Sequence, residues 1–262
     1  MRSSSEVHLK TVNITKKFGG LIAVNKVSIE VLKSSITLLI GPNGCGKTTL
    51  VNTITGVYKP DGGRVYFNGE DITGLPPDQI YKKGLVRTFQ IPSPFTKLSV
   101  LDNLLVAARG NPGERFRYHL FKKTWLEYEV RAVEKAFEIM RILNIERYWD
   151  REVSELDAGA LKLIEIGRAL MSDASMIILD EPIAGVNPRL AHDIFSHIVN
   201  VRNKLGITFL IIEHRLDIAL KYVDHVYVMN QGMIISSGTP SDIVRDEKVR
   251  TVYLGVSSSA GS

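Results

Sequence analysis

The sequence predicts an α/β fold, and three observations predict it. Ile36-Thr37-Leu38-Leu39-Ile40 is an unbroken apolar run of strand length, followed by a glycine-rich loop and then by a helical stretch from Thr49 to Thr55 that Gly56 stops. Two further apolar runs of strand length, Met176-Ile177-Ile178-Leu179 and Thr208-Phe209-Leu210-Ile211-Ile212, each end in charged residues, Asp180-Glu181 and Glu213-His214. Ahead of the glycine loop, Val7, Leu9 and Val12, and then Val27, Ile29 and Val31, alternate with polar residues as half-buried antiparallel strands do. Buried strands alternating with helices build a parallel sheet. The alternating runs add an antiparallel β-layer wrapped round the strand–loop–helix unit.

The loop itself, Gly41-Pro42-Asn43-Gly44-Cys45-Gly46-Lys47-Thr48-Thr49, has the spacing Gly-x-x-x-x-Gly-Lys-[Ser/Thr]. Successive backbone N–H groups can curl round a phosphate only if the chain bends sharply, which glycine allows without a Cβ penalty. Lys47 would then reach the β- and γ-phosphates, and the Thr48 hydroxyl would hold Mg²⁺. Strand before and helix after are the setting this motif requires, so it points to a nucleoside triphosphate. The two acids ending the run at 176–181 reinforce it. At the C-terminal end of a parallel strand they face the ligand crevice, where Asp180 can enter the Mg²⁺ ligand sphere and Glu181 can polarise an attacking water. His214 ends the next core strand and faces the same crevice.

Composition narrows the function classes. The 262 residues carry a net charge of +5, with basic residues scattered and no basic block interleaved with aromatics, so nucleic acid is not an expected partner. The mild excess biases the surface toward anionic membranes. No apolar run approaches the roughly 18 residues needed to span a bilayer, and Met1-Arg2-Ser3-Ser4-Ser5 has no apolar core behind it to make an export signal. A single cysteine excludes an internal disulfide and suits a reducing compartment. That residue, Cys45, reads first as a small side chain filling a loop slot and second as a redox-sensitive thiol at a helix N-terminus.

Along the chain, Phe18 stands beside a Gly19-Gly20 turn next to two lysines, where an exposed aromatic could stack on a base. Lys59-Pro60-Asp61-Gly62-Gly63 reads as a hairpin-type turn before a short strand at 64–67. Leu75-Pro76-Pro77-Asp78 starts a helix that Gly84 ends, and Val86-Arg87-Thr88-Phe89-Gln90 is the next strand. Residues 91–157 change to helical character. Leu126, Val130, Val133, Phe137 and Met140 form a helical stripe expected to pack in the core, and 110–123 reads as an exposed loop. A helix from Pro188 to Gly206 follows the paired acids, and Asn230-Gln231-Gly232 closes a hairpin. The tail 257–262 is expected to be disordered. His8, His119, His192, His197 and His225 lack metal-ligand spacing, so no zinc site is expected.

In this order the pieces resemble an ATP-binding cassette (ABC) ATPase over essentially the whole chain. Arg87-Thr88-Phe89-Gln90, Phe18-Gly19-Gly20 with Ala23-Val24, Asp71-Ile72-Thr73-Gly74-Leu75-Pro76, Pro182-Ile183-Ala184-Gly185, Ile212-Glu213-His214 and Val252-Tyr253-Leu254-Gly255 resemble, more narrowly, the branched-chain amino acid importer ATPases. The resemblance implies a P-loop NTPase with a RecA-like core, an N-terminal antiparallel β-subdomain and a helical signature subdomain. As one domain over 7–256, its nucleotide-binding core would take 1–91 and 160–256, and the helical subdomain 92–159. It implies ATP and Mg²⁺ as cofactors. Nucleotide would be held by Phe18, Val24 and residues 41–49, namely Gly41, Pro42, Asn43, Gly44, Cys45, Gly46, Lys47, Thr48 and Thr49. The metal would be held by Thr48, Gln90 and Asp180, and catalysis would fall to Glu181, His214, Gln90 and Lys47. The implied partners are integral-membrane permease subunits and a second cassette, identical or not, reached through Ala184-Gly185-Val186-Asn187. The expected location is the cytoplasmic face of the cell membrane. Soluble cassette ATPases and mainly regulatory cassettes are the alternatives.

One segment departs from the family. Its signature Leu-Ser-Gly-Gly-Gln, which closes over the nucleotide of the partner cassette, is here Leu156-Asp157-Ala158-Gly159-Ala160. Asp157 exchanges a hydroxyl donor for a carboxylate beside a phosphate, and any site it closes is expected to be weak. Losing one donor to a developing anion costs about 2.7–4 kcal/mol in comparable sites.

Overall fold

A computed structural model describes residues 6–88, 94–110 and 122–254. Two sheets form it. The first is antiparallel, built from β1 (Val7–Phe18), β2 (Leu21–Val27), β3 (Glu30–Leu32), β5 (Gly62–Phe67) and β6 (Glu70–Asp71), in the order β2-β1-β5-β6 with β3 also paired to β1. The second has six strands in the order β11-β10-β4-β9-β8-β7: β4 (Ile36–Ile40), β7 (Leu85–Arg87), β8 (Met176–Asp180), β9 (Thr208–Ile212), β10 (His225–Asn230) and β11 (Met233–Gly238). β10, β4, β9, β8 and β7 run parallel, and β11 is an antiparallel edge. The expected α/β fold is therefore present.

The parallel strands read as continuous apolar runs because helices and the first sheet cover both faces. Ile36, Leu38 and Ile40 of β4 enter one apolar cluster with α3 (Val100–Leu105), α4 (Lys122–Ile142), α5 (Ala158–Met171) and α6 (Pro188–Leu205). Leu39 enters the other, with α1 (Lys47–Ile54), α2 (Pro77–Lys82) and the antiparallel sheet. Short helices α7 (Leu216–Ala219), α8 (Pro240–Arg245) and α9 (Glu247–Leu254) finish the chain. The sheets are also tied by a polar contact. His8 Nδ1 meets Thr208 Oγ1 at 2.7 Å, and burial holds its imidazole down at about 4, so it stays neutral while stacked on Phe67.

Several local expectations change. The 59–63 turn leads from α1 into β5 and makes no hairpin. The hairpin lies one strand later, between β5 and β6, where Asn68 and Gly69 supply two successive positive φ angles. The closing hairpin uses the same device at Gln231-Gly232, as expected. On α4 the buried side is carried by Ala132, Ala136, Ile139 and Met140, whereas Leu126 and Val130 are exposed and Val133 and Phe137 half-buried. Small alanines seat this helix against its neighbours, so the expected stripe is rotated off the contact, with Met140 in the core and Phe137 packed against it. The division drawn at 159/160 falls inside the first turn of α5, and one apolar cluster runs from the sheet through α3, α4 and α5. Gln90, most of the 110–123 loop and the 257–262 tail lie outside the described residues.

Candidate functional site

The C-terminal ends of β4, β8 and β9 open onto a cleft of about 550 Å³. It is lined by Phe18 and Ala23 from the antiparallel sheet, Asn43, Gly44, Gly46, Lys47, Thr48 and Thr49 from the loop after β4, and Glu181 and Ile212 from the ends of β8 and β9. The loop's course explains its glycines. Gly46 has φ +106°, and a Cβ there would lie 2.3 Å from the Ala23 carbonyl oxygen. At Gly41 a Cβ would lie 2.1 Å from the Met229 carbonyl oxygen. The loop is thus pressed against both sheets with no room for side chains. α1 starts at Lys47 with no acidic residue in its first turn, which leaves its N-terminal N–H groups and dipole to an anion. Lys47 donates back to the carbonyl oxygens of Gly41 at 2.7 Å and Pro42 at 3.0 Å, bracing the loop from inside.

Cys45 is buried in the apolar cluster under the loop, its sulfur 3.8 Å from Lys47 Nζ, and it faces away from the cleft. Val24 was expected at the nucleotide. It is fully buried in the antiparallel layer, while Leu21, Ile22 and Ala23 before it line the cleft. Phe18, at the end of β1, is 44% exposed, with Tyr58 edge-on at 5.3 Å and Lys16 Nζ 5.4 Å from its ring centre. Tyr58 escaped the sequence reading, since nothing in Val57-Tyr58-Lys59 distinguishes it from a surface residue.

Asp180 and Glu181 part company at the end of β8. Asp180 is the last strand residue and nearly buried. Its Oδ2 accepts from Arg87 Nη2 at 2.7 Å, and Arg87 Nη1 also bonds Asn52 Oδ1 on α1. Glu181 takes a left-handed φ of 49°, which turns the chain out of the sheet and puts its carboxylate on the cleft, 3.7 Å from His214 Nδ1. Backbone strain of this kind collects where a side chain must be aimed. Behind this pair lies Glu213, wholly buried, accepting from the N–H of Ile183 at 3.0 Å and of His214 at 3.2 Å. Burial pushes its carboxyl up, against the pull of these N–H groups and the His214 ring. The ammonium of Lys162 on α5 is held down by burial, against the attraction of Glu165, Glu213, Glu181 and Asp180. Arg87, Glu213 and Lys162 were absent from the expected site.

The segment 157–160 does not share this cleft. Asp157 is the N-cap of α5, its Oδ1 accepting from Ala160 N at 2.9 Å, and Ala158 begins the helix. Gly159 sits where a Cβ would lie 2.5 Å from Leu190 Cδ1, so a larger residue there would have to displace the Leu190 side chain on α6. Asp157, Gly159 and Ala160 line a separate cavity of about 310 Å³ with Leu190, Asp193 and His197. Among the described residues no group of three or more His, Cys, Asp or Glu could hold a metal ion.

Comparison with known proteins places this geometry. The ABC transporter family model matches residues 24–184, and a branched-chain amino acid ATP-binding cassette transporter model matches 233–258. A probable branched-chain amino acid transport ATP-binding protein of Archaeoglobus fulgidus is 52% identical over 251 residues, 96% of each chain. One from Methanocaldococcus jannaschii is 51% identical, over 97% of this chain and 100% of its own. A high-affinity branched-chain amino acid transport ATP-binding protein of Pseudomonas aeruginosa is 38% identical, over 94% of this chain and 97% of its own. The solved ADP conformation of an ATP-binding cassette of an ABC transporter superposes with a TM-score of 0.84 at 50% identity, covering 96% of this chain and all of that one. A nucleotide-free cassette superposes at 0.81 with 51% identity, covering 95% of this chain and all of that one. The chain belongs to the ABC transporter family, among the ATP-binding proteins of branched-chain amino acid transport.

Proposed function

We propose that this chain is the ATP-hydrolysing subunit of a membrane importer for branched-chain or other hydrophobic amino acids, working as one of two cassettes that close round ATP. The observation that carries the reading is the convergence of Phe18, the 43–49 loop, Glu181 and the end of β9 on one cleft. Phe18, with Tyr58 against its edge, stacks on the base. The N–H groups of the loop and Lys47 hold the phosphates, the ammonium leaving the Gly41 and Pro42 carbonyls to do so. Thr48 and Asp180 offer a hydroxyl and a carboxylate oxygen, the hard donors that suit Mg²⁺, and the lack of a larger ligand cluster among the described residues fits an ion that keeps phosphate oxygens and waters. When bound, Mg²⁺ neutralises charge on the phosphates. Gln90 is assigned to the same ion on the resemblance alone.

Hydrolysis is an in-line displacement governed by positioning and charge. Glu181 orients water and takes its proton as the water oxygen bonds the γ-phosphorus and the bond to the bridging oxygen breaks, releasing ADP and phosphate. His214, beside Glu181, contacts the γ-phosphoryl group. No helix among the described residues is long and apolar enough to cross a membrane. In this reading the chain attaches to the cytoplasmic face through permease subunits.

Asp157 lends support to a second reading, a mainly regulatory cassette. Its cap is chemically replaceable: serine serves an N-cap about as well as aspartate. Asp157→Ser should therefore leave stability within about 0.5 kcal/mol, and the double substitution Asp157→Ser with Ala160→Gln should raise the ATPase rate of a homodimer roughly tenfold or more. An unchanged rate would end the repulsion argument.

The function is tested by affinity purification of the chain from detergent-solubilised membranes of its native host, with identification of the chains that follow it. Two hydrophobic permeases and a second cassette with an intact signature are expected. Soluble partners alone, or none, would move the chain to a soluble or regulatory cassette.

A further inference from the structure

Glu213 is a wholly buried carboxylate that no step of the proposed hydrolysis uses. Its two oxygens reach in different directions. Oε1 accepts from the N–H of Ile183, two residues beyond Glu181, and Oε2 accepts from the N–H of His214. Ile183 is itself fully buried and opens the segment 183–187 that leads to α6. Burying a carboxylate costs several kcal/mol, and a neutral amide would do if only one N–H had to be satisfied. Glutamine offers one acceptor oxygen. A carboxylate offers two, and charge-assisted bonds to both loops at once.

We propose that Glu213 is a positioning residue whose carboxylate couples the histidine loop to the 183–187 segment, so that a displacement of His214 on meeting the γ-phosphoryl group moves that segment with it. This rests on the functional reading above and adds a route within one chain from the phosphate to the surface expected to face the second cassette. The route is short. His214 N, the Glu213 carboxylate and Ile183 N form one hydrogen-bonded chain.

Glu213→Gln tests it, since the amide keeps the shape and loses one of the two arms. Nucleotide affinity, read with a fluorescent ATP analogue, is expected to stay within about twofold, because no phosphate contact is touched. The turnover per bound ATP should fall about tenfold or more with KM unchanged. Amide exchange read by mass spectrometry gives the deciding signal. In a Glu181→Gln background, saturating MgATP should slow exchange of the 183–187 amides below their nucleotide-free rates when Glu213 is present and leave those rates unchanged in the double variant. Should Glu213→Gln not fold, Glu213→Asp, too short to reach both N–H groups, takes its place with the same readouts. Turnover within threefold of the parent with protection intact would overturn the proposal. So would loss of nucleotide binding in step with a lowered melting temperature, which marks a purely structural role. A parent that binds ATP without hydrolysing it would sink the functional reading, and the exchange measurement would still decide the coupling.

Discussion

Replacing Glu181 by glutamine is expected to lower single-turnover hydrolysis of ATP by roughly a hundred- to ten-thousand-fold, the range over which a positioned general base acts. The amide fills the same volume at the mouth of β8 and can still hold a water by one hydrogen bond, but it cannot take the proton. Neither the loop nor Phe18 touches the change, so ATP should bind as tightly as before. With hydrolysis blocked, two cassettes should stay closed round the nucleotide, visible as an ATP-dependent dimer in size-exclusion chromatography. The backbone supports this separation of effects: the left-handed turn at Glu181 is held by its N–H bond to the Ile212 carbonyl oxygen at 2.9 Å, which the substitution leaves intact. Hydrolysis within tenfold of the parent would show that another group accepts the proton.

Arg87→Met should be the most damaging single change to stability outside the apolar clusters. The side chains of Arg87 and Asp180 are 13% and 9% exposed, and the guanidinium joins Asp180 to Asn52 on α1. Removing one partner of such a pair strands the other charge, at a cost of about 3–5 kcal/mol. In a chain of this size that is on the order of 10 °C in melting temperature. The loss belongs mainly to the nucleotide-free protein. If Asp180 faces Mg²⁺ when nucleotide is bound, the cation takes over part of the arginine's role, and MgADP should recover part of the loss. A melting temperature within 2–3 °C of the parent, at roughly 1 kcal/mol, would show that solvent already screens the carboxylate.

The features legible from sequence share a physical cause: each is dictated by neighbours a few residues away. The strand–glycine loop–helix unit, the apolar runs of β4, β8 and β9, the helix ends at Gly56, Gly84 and Gly206 and the Gln231-Gly232 turn all follow from local sterics and burial. What stayed hidden depends on partners distant in the chain. Arg87 finds Asp180 across 93 positions, and Glu213 finds Ile183 across 30. Nothing near either residue announces the other. Val24 is buried while Leu21, Ile22 and Ala23 before it line the cleft, a division set by the course of β2 past the loop after β4. The α4 stripe misled for a related reason: hydrophobic size was taken to mark the buried face, whereas alanine marks it where helices come closest. Asp157 shows the converse case, a residue whose local role as a helix cap is plain in the structure while its meaning depends on a second chain.

The unbroken apolar cluster from β4 through α3, α4 and α5 has a mechanical consequence. A segment with its own core can swing on a hinge, because little is exposed at the joint. Here rotation would open a dry seam between the helices and the sheet and admit water along its length. Movement between the two is therefore expected to be a sliding one, with side chains exchanging neighbours across a contact that stays closed. For the same reason the helical segment has no separate melting transition. It holds together, and comes apart, with the sheet it covers.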